Sequence, residues 1–594
     1  MIKIGCVYTP KVNSVAIAEY PKHFQVAELG NTFYRAFSQK DITTLGKLPK
    51  KNKDFEFTLR VNRFISHKYQ FQYDSLREKA LEMFSTMKSM AEEVNCNKLL
   101  FQTHFSLEYN DNFFKNLDDF FNSVSRKGVN IFWEFRGLGW KSRETLPKLQ
   151  KKFADLNIGH SIDLLFSKPI NIVKEGIIYT KLHGFGVKYD QYLHSLEDLM
   201  KLIEEMNALL ENNKEVYAVF ANEEMYNDAI FLKKVLEAGQ TGEMDLEKAK
   251  SSLRRDFGLN FSFKGQNLQV VYAPPYAIQS EKDAIKISPK VMENMDQNIA
   301  GFIDLVNKMN GVEQLDEKFK GQYFNDLRKL GEYFLKYLLG DRVNYRYRLT
   351  SNETLVIEND ESSLNYPYEM IFDKWEFVCL KNKCIRKFIE NDIKYPSEIP
   401  KLSKKQKIRC LFINRTSGES SNQPLINFKS DKTEMVLLEK GGAQDIQNAL
   451  GNGYDIISYI GNAQSNEGGP ALRWGKSAFS LEEVVNFMKT PPKLFIIGNI
   501  SQQQKMGYLK DVYATAIPFV KAGCNFMTNF ISLSKDQLFE FYREFYPLIL
   551  NGEDLPSALK KTREKIFERY WGLNPSWFSF TLFGDERFKI EGGI

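Results

Sequence analysis

The residues able to do chemistry sit in pairs at the ends of apolar runs. Ile177–Gly184 reads Ile-Ile-Tyr-Thr-Lys-Leu-His-Gly, and alternation along a strand puts Lys181 and His183 on one face before Gly184 ends it. Asn130–Arg136 ends in Glu134 and Arg136, and Lys98–His104 ends in Gln102 and His104, again two apart. Val26–Phe33 carries Glu28 and Asn31, Phe55–Val61 carries Arg60, Gly159–Asp163 ends in Asp163, and Val216–Asn222 ends in Asn222. Glu28, Glu134, Asp163 and His183 offer the mixed nitrogen and oxygen donors of a divalent-metal site. Arg60, Arg136 and Lys181 beside them neutralise those carboxylates and suit a phosphate or carboxylate ligand. A small anionic ligand, or a network of salt bridges holding the fold closed, is the favoured expectation. A divalent metal is the alternative, and no other cofactor is expected.

For these ends to meet, the chain between them must be regular. Counting Ile2–Tyr8, eight apolar runs alternate with amphipathic stretches such as Ser75–Glu93, Asn110–Ser125, Glu144–Asp155 and Ser195–Glu211. Eight strands alternating with helices over residues 1–240 imply a parallel sheet closed into a TIM-like (βα)8 barrel, whose C-terminal mouth collects inward-facing strand ends. No Gly-x-Gly-x-x-Gly follows the first run to support an open doubly wound sheet.

The remaining length and composition set bounds. A chain of 594 residues is too long for one core, and 43% hydrophobic with 26% charged residues is ordinary globular usage. A balance of +6 over 81 basic and 75 acidic side chains makes no demand for nucleic acid, which is not an expected partner. No apolar stretch nears the ~20 residues needed to span a bilayer, so no membrane partner is expected. Six scattered cysteines without Cys-x-x-Cys, and a first run not preceded by a signal peptide, point to a reducing cytoplasm. All six histidines (23, 67, 104, 160, 183, 194) lie in the first third.

Several segments in the first third resemble the DUF72 (YecE-like) family: Asn31-Thr-Phe-Tyr-Arg35, Leu99-Leu-Phe-Gln102, Glu134-Phe-Arg136 with Trp140, Tyr179-Thr-Lys-Leu-His-Gly184 with Tyr189 and Tyr192, and Val219-Phe-Ala-Asn222. The resemblance implies a TIM-barrel-like fold and a pocket, but no defined reaction. The family usually reads Gln-Leu-Pro-Pro where this chain has Gln102-Thr-His104-Phe. Lys181 stands where arginine is usual, and Arg60 where lysine is. Charge is kept but geometry is not, because arginine forks and lysine does not.

Residues 241–321 read as a helical connector. Gly242–Arg255 is charged and helix-like, Ala273-Pro-Pro-Tyr276 is extended, and Ser288 with Pro289 starts a helix that Gly311 ends. Residues 322–594 read as a mixed-sheet α/β domain. A helix is expected over Phe324–Leu339. Strands are expected at Val343–Leu349, Thr354–Glu358, Trp375–Leu380, Ile408–Ile413, Asp455–Ile460, Leu494–Ile497 and Cys524–Asn529. Helices are expected around Lys432–Leu450, Ser480–Met488, Ser534–Leu550 and Pro556–Tyr570, the third with Ser534 and Gln537 as a capping box.

Here Leu330-Gly-Glu332, Leu338-Leu-Gly340, Tyr366-Pro-Tyr-Glu369 with Ile385-Arg386, Val520-Lys-Ala-Gly523, Phe541-Tyr-Arg-Glu-Phe545, Ser557-Ala-Leu559 and Trp577 with Leu582-Phe-Gly-Asp585 resemble the CHAT family of caspase-like cysteine proteases. Such a protease needs a thiolate activated by an imidazole. Asn462 stands where the family has histidine, and Ile500 sits at or next to the cysteine position. Ser501 is a candidate substitute nucleophile, but no histidine follows position 194 to serve it. The resemblance therefore implies a pseudoprotease, with Asn462, Gln464 and Ser501 lining a candidate peptide groove. It also implies a protein partner and a regulatory or scaffold role of the kind found in prokaryotic defence or signalling. The rival expectation is an enzyme whose barrel hydrolyses or isomerises a phosphorylated or sugar-like ligand, with Glu134 or His183 as base.

Overall fold

The computed structural model describes residues 1–8, 15–71, 73–104, 111–136, 140, 142, 144–184, 192–240, 256–275, 280–310, 317–347, 350, 352–389, 393, 407–415, 433–466, 469–474, 477–500 and 508–589. Two compact units are present. The first covers Met1–Arg254, and the second takes up Arg255–Pro275 and Ser280–Ile594.

The first unit is the expected parallel barrel. Its strands are β1 (Ile2–Tyr8), β2 (Val26–Leu29), β3 (Glu56–Arg60), β4 (Lys98–Gln102), β5 (Asn130–Glu134), β6 (Ile158–His160), β7 (Ile177–Leu182) and β8 (Glu215–Phe220). They pair in the order β6-β5-β4-β3-β2-β1-β8-β7, all parallel. Between β6 and β7 the barrel is closed by a single bridge, Ile162 to Thr180, in which the Lys181 amide donates to the Ile162 carbonyl at 2.8 Å. The helices follow from capping and periodicity. In Leu196–Leu210, Ser195 and Asp198 form a capping box, and Leu199, Leu202, Ile203 and Met206 recur at helical spacing to bury one face.

At the N-terminal end of the strands, Glu56 is bound by Lys3 and Lys98, each at 2.6 Å, and by the Tyr217 hydroxyl at 2.6 Å. Above this plug Tyr217 stacks on Tyr179, and Phe132 packs against Tyr179. The lumen is therefore filled from below, which leaves the C-terminal mouth for chemistry.

The second unit is built on a sheet of thirteen strands: β9 (Asp256–Lys264), β10 (Asn267–Ala273), β11 (Glu281–Lys286), β12 (Thr354–Asn359), β13 (Lys383–Phe388), β14 (Ile408–Asn414), β15 (Thr433–Leu438), β16 (Ile456–Asn466), β17 (Gly469–Trp474), β18 (Ser477–Ser480), β19 (Leu494–Ile500), β20 (Asn525–Asn529) and β21 (Phe580–Phe583). The main path runs β11-β10-β9-β12-β13-β21-β20-β19-β16-β14-β15, with β17 and β18 branching from β16. Strands β15, β14, β16, β19 and β20 are mutually parallel, and β21 lies antiparallel to β20.

Some local expectations are corrected. Within residues 241–321, read as a helical connector, β9, β10 and β11 belong to the second sheet, and the helix Pro289–Asn310 follows them. Val343–Leu349, expected as a strand, lies where the helix Asp341–Tyr347 forms, because Asp283 Oδ2 accepts the Arg342 and Val343 amides, both at 3.0 Å. A tertiary cap there overrides β-propensity. Trp375–Leu380 is a tight turn, with Asp373 Oδ1 accepting the Trp375 and Glu376 amides, followed by the short helix Val378–Lys381. The helix expected over Lys432–Leu450 splits into edge strand β15 and the helix Ala443–Leu450. The Ser534–Gln537 capping box is present as read. Among the described residues no helix is long and apolar enough to cross a membrane.

Candidate functional site

The strand ends of the barrel converge. Glu28, fully buried on β2, is its centre. Its Oε1 accepts Arg60 Nε at 2.9 Å, Arg60 Nη2 at 2.6 Å and Lys181 Nζ at 2.7 Å, while its Oε2 accepts the Tyr179 hydroxyl at 2.9 Å. Tyr179 and Lys181 are two apart on β7, so alternation aims both inward. Thr58 Oγ1, opposite Glu28 in the β2–β3 register, meets the Tyr179 hydroxyl at 2.9 Å.

A second carboxylate lies beside the first. Gln102 and Glu134 are register partners on β4 and β5, and Gln102 Nε2 donates to Glu134 Oε2 at 2.7 Å. Arg136 Nε donates to Glu134 Oε1 at 3.3 Å, and Lys181 Nζ stands 3.8 Å from Glu134 Oε2. His183 Nε2 is 3.2 Å from Glu134 Oε1, a contact whose angle falls short of a formed hydrogen bond.

Electrostatics fixes the charge states. Burial alone would raise Glu28, but Lys181 and Arg60 outweigh it and hold the carboxyl down at about 2. Burial would likewise raise Glu134, and Arg136, Lys181 and His183 keep it well below the usual carboxylate range. Burial and the Arg60 charge lower Lys181 to about 8, only partly offset by Glu28 and Glu134. His67 is lowered to about 4 by burial and then by His104, Arg136, Arg63 and Arg60, all cationic or potentially so. Three cations, Arg60, Arg136 and Lys181, thus stand around the carboxylates of Glu28 and Glu134.

Of the residues singled out in sequence, Glu28, Arg60, Gln102, Glu134, Arg136, Lys181 and His183 form this constellation. Asp163 acts on the backbone instead: its Oδ2 accepts the His183 amide at 2.9 Å and the Gly184 amide at 3.0 Å. Gly184 has φ +79°, and a Cβ there would lie 2.1 Å from the Tyr192 ring, so only glycine fits. Asn222 donates to the Tyr192 carbonyl at 2.6 Å and to Asp228 at 2.7 Å, in a network in which Asp228 also meets His194 Nδ1 at 2.6 Å. Asn31 is half-buried in the turn after β2. Asp163 and Asn222, read in sequence as pocket candidates, thus hold backbone and side-chain groups next to the cluster.

Sequence reading missed Tyr179 and Thr58, which alternation two residues from Lys181 and from Arg60 would have flagged, and His67. His67 lies in Phe64–Tyr69, a π-helical turn whose spacing fits neither helix nor strand periodicity. Among the described residues no three His, Cys, Asp or Glu side chains gather as a metal-holding set. Tyr189 and Ser501 lie outside the described residues, as do the side chains of Asn462, Gln464 and Ile500.

Comparison with known proteins bears on the first unit. Residues 3–250 match the DUF72 family, described as a protein of unknown function, and form a DUF72 domain. A DUF72 family protein from Enterococcus faecalis is similar at 17% identity and TM-score 0.34, over 40% of this chain and 98% of that one. A DUF72 family protein from Thermotoga maritima is similar at 20% identity and TM-score 0.32, over 40% and 99%. The Saccharomyces cerevisiae separase–securin complex aligns at 10% identity and TM-score 0.37, over 92% of this chain and 44% of that one. No curated protein matches the chain.

Proposed function

We propose that this chain is a non-proteolytic regulatory or scaffold protein that holds a small anionic ligand in the mouth of its DUF72 barrel and binds a protein partner through its second unit. The observation that carries the reading is the charge balance of the mouth. Arg60, Arg136 and Lys181 stand around the inward carboxylates of Glu28 and Glu134, and burial followed by nearby cations lowers His67 beside them. An anion entering there meets guanidiniums and an ammonium already ordered by Glu28 and Glu134, so little freedom is lost on binding.

The second half of the reading rests on what the later chain lacks. No imidazole exists after residue 194. Cys379, Cys384, Cys410 and Cys524 are buried free thiols, and burial pushes each upward, Cys379 and Cys410 to about 12, so none is poised as a thiolate. The strand order β15-β14-β16-β19-β20-β21, with only β21 antiparallel, is consistent with a CHAT-like, caspase-shaped domain. Ala463 and Ile500 are register partners on β16 and β19, which brings the backbone at Asn462 beside the strand end where the nucleophile would stand. A cytoplasmic setting, and a place in prokaryotic defence or signalling, belong to this reading.

One contact favours a second reading, in which the barrel is an enzyme acting on a phosphorylated or sugar-like ligand. Glu134 touches His183, and its strongly depressed basicity suits it to orienting His183 rather than to taking a proton itself. His183 would then be the base. A paired experiment separates the two readings: Glu134→Gln with His183→Gln in the full chain, against insertion of a proline within Asn462–Gly469. Loss of biological activity only with the loop supports the scaffold, and loss only with the pocket supports the enzyme. Calorimetric titration with inorganic phosphate tests the shared premise. Wild type is expected to bind and Arg136→Ala to bind at least tenfold more weakly; a wild type that ignores phosphate rejects the anion site.

A further inference from the structure

We propose that the ligand of the barrel mouth is a nucleotide-like anion, whose flat ring stacks on Tyr34 while its phosphate meets Arg136 and Arg60. This rests on the anion-binding reading and specifies the other end of the ligand.

Four rings run across the mouth, each edge-on to the next. Tyr34 and Phe33 are 5.1 Å apart at 90°, Phe33 and His67 4.9 Å at 85°, and His67 and His104 5.1 Å at 87°. The run begins in the open and ends among cations. Tyr34 is 60% exposed, while His67 feels Arg136, Arg63 and Arg60. The cationic and aromatic groups are also joined directly. The Arg60 guanidinium lies 5.7 Å over the Phe33 ring, and that of Arg63 lies 5.5 Å over the Tyr34 ring. The Arg60 charge and the open Tyr34 ring are thus separated by one phenylalanine, a spacing that suits a phosphate and a base joined through a sugar.

An exposed tyrosine is ordinary by itself. What sets Tyr34 apart is its attachment, through Phe33, to the Arg60 guanidinium and the cluster around Glu28. At 60% exposure the Tyr34 ring keeps open surface on which a planar partner can stack.

A bare sugar phosphate fits less well. It would make no use of the exposed ring, and Glu28, which already accepts from Arg60 twice, Lys181 and Tyr179, has no lone pair left for a hydroxyl.

The test is calorimetry on the full chain with three probes: adenosine 5′-monophosphate, ribose 5-phosphate and inorganic phosphate. The nucleotide is expected to bind about tenfold or more tightly than ribose 5-phosphate, the scale of one base–aromatic stack. Tyr34→Ala should bring the nucleotide down to the ribose 5-phosphate level without weakening inorganic phosphate, and Tyr34→Phe should restore the preference. Equal affinity for nucleotide and ribose 5-phosphate in wild type, or a preference that survives Tyr34→Ala, overturns the inference and leaves the anion site standing. Binding of none of the three overturns both.

Discussion

The two units solve the same electrostatic problem in opposite ways. Each buries charge deeply near a parallel sheet. In the second unit Arg386 on β13 forks onto Glu369 through Nε, at 2.8 Å, and Nη2, and also donates to the Tyr366 carbonyl at 2.9 Å. Glu369 accepts from one guanidinium there and also feels the buried Arg563, and the Tyr513 ring covers Arg386 at 4.1 Å. In the barrel, Glu28 and Glu134 share three cations, and the cluster opens upward to Arg136, whose side chain is 45% exposed. A closed pair is structural. The open cluster is the one proposed to bind an anion.

The comparison can be broken most forcefully at the closed pair. Glu369→Ala strands a buried guanidinium and is expected to cost ~3–5 kcal/mol of stability, read by denaturant unfolding of the full chain, with phosphate titration unchanged. A loss under 1 kcal/mol would show that the pair is solvated.

Acid attacks the open cluster next. Glu28 is held at about 2 in the folded barrel against an ordinary 4.5, so the unfolded chain takes up its proton first. The stability it contributes is whole above pH 4.5 and is lost as the pH falls towards 2, on the order of 3 kcal/mol. His67, at about 4 against an ordinary 6.5, acts in the same direction in the window above. Melting temperatures between pH 7 and 3 should fall, and Glu28→Gln should start lower and fall less.

A subtler effect comes from Lys181. With the ammonium losing its proton near pH 8, sulfate, whose own charge is constant there, should bind steadily below pH 7 and several-fold more weakly at pH 9. Lys181→Met should bind weakly at both.

The smallest expected signal is a silent one. The four cysteines of the second unit should resist iodoacetamide at pH 7.5 until the chain is unfolded. Rapid native labelling of any of them, followed by mass spectrometry, would reopen the protease question.

The sequence made the barrel legible because apolar strand-like runs repeat eight times, several of them ending in polar pairs, and repetition survives local ambiguity. Lys181, His183, Glu134 and Arg136 were visible because spacing alone fixes their shared face. The partners of Asp163 and Asn222 were not legible because sequence gives a residue's type and not its target; a carboxylate at a strand end serves a pocket or a backbone amide equally well. His67 was hidden by a π-helical turn, and the helix Asp341–Tyr347 by a cap from Asp283, 58 residues upstream of Asp341. Long-range capping leaves no local trace.

The seam between β6 and β7 gives the barrel a built-in zipper. One bridge, Ile162 to Thr180, fastens it, and the next stitches are the His183 and Gly184 amides held by Asp163. Lys181 and His183 stand directly on that fastening, so a guest that pulls on either also pulls the hoop shut. Binding of the proposed anion there would be coupled to the stability of the seam, and amide exchange along Ile177–Leu182 should slow as it saturates.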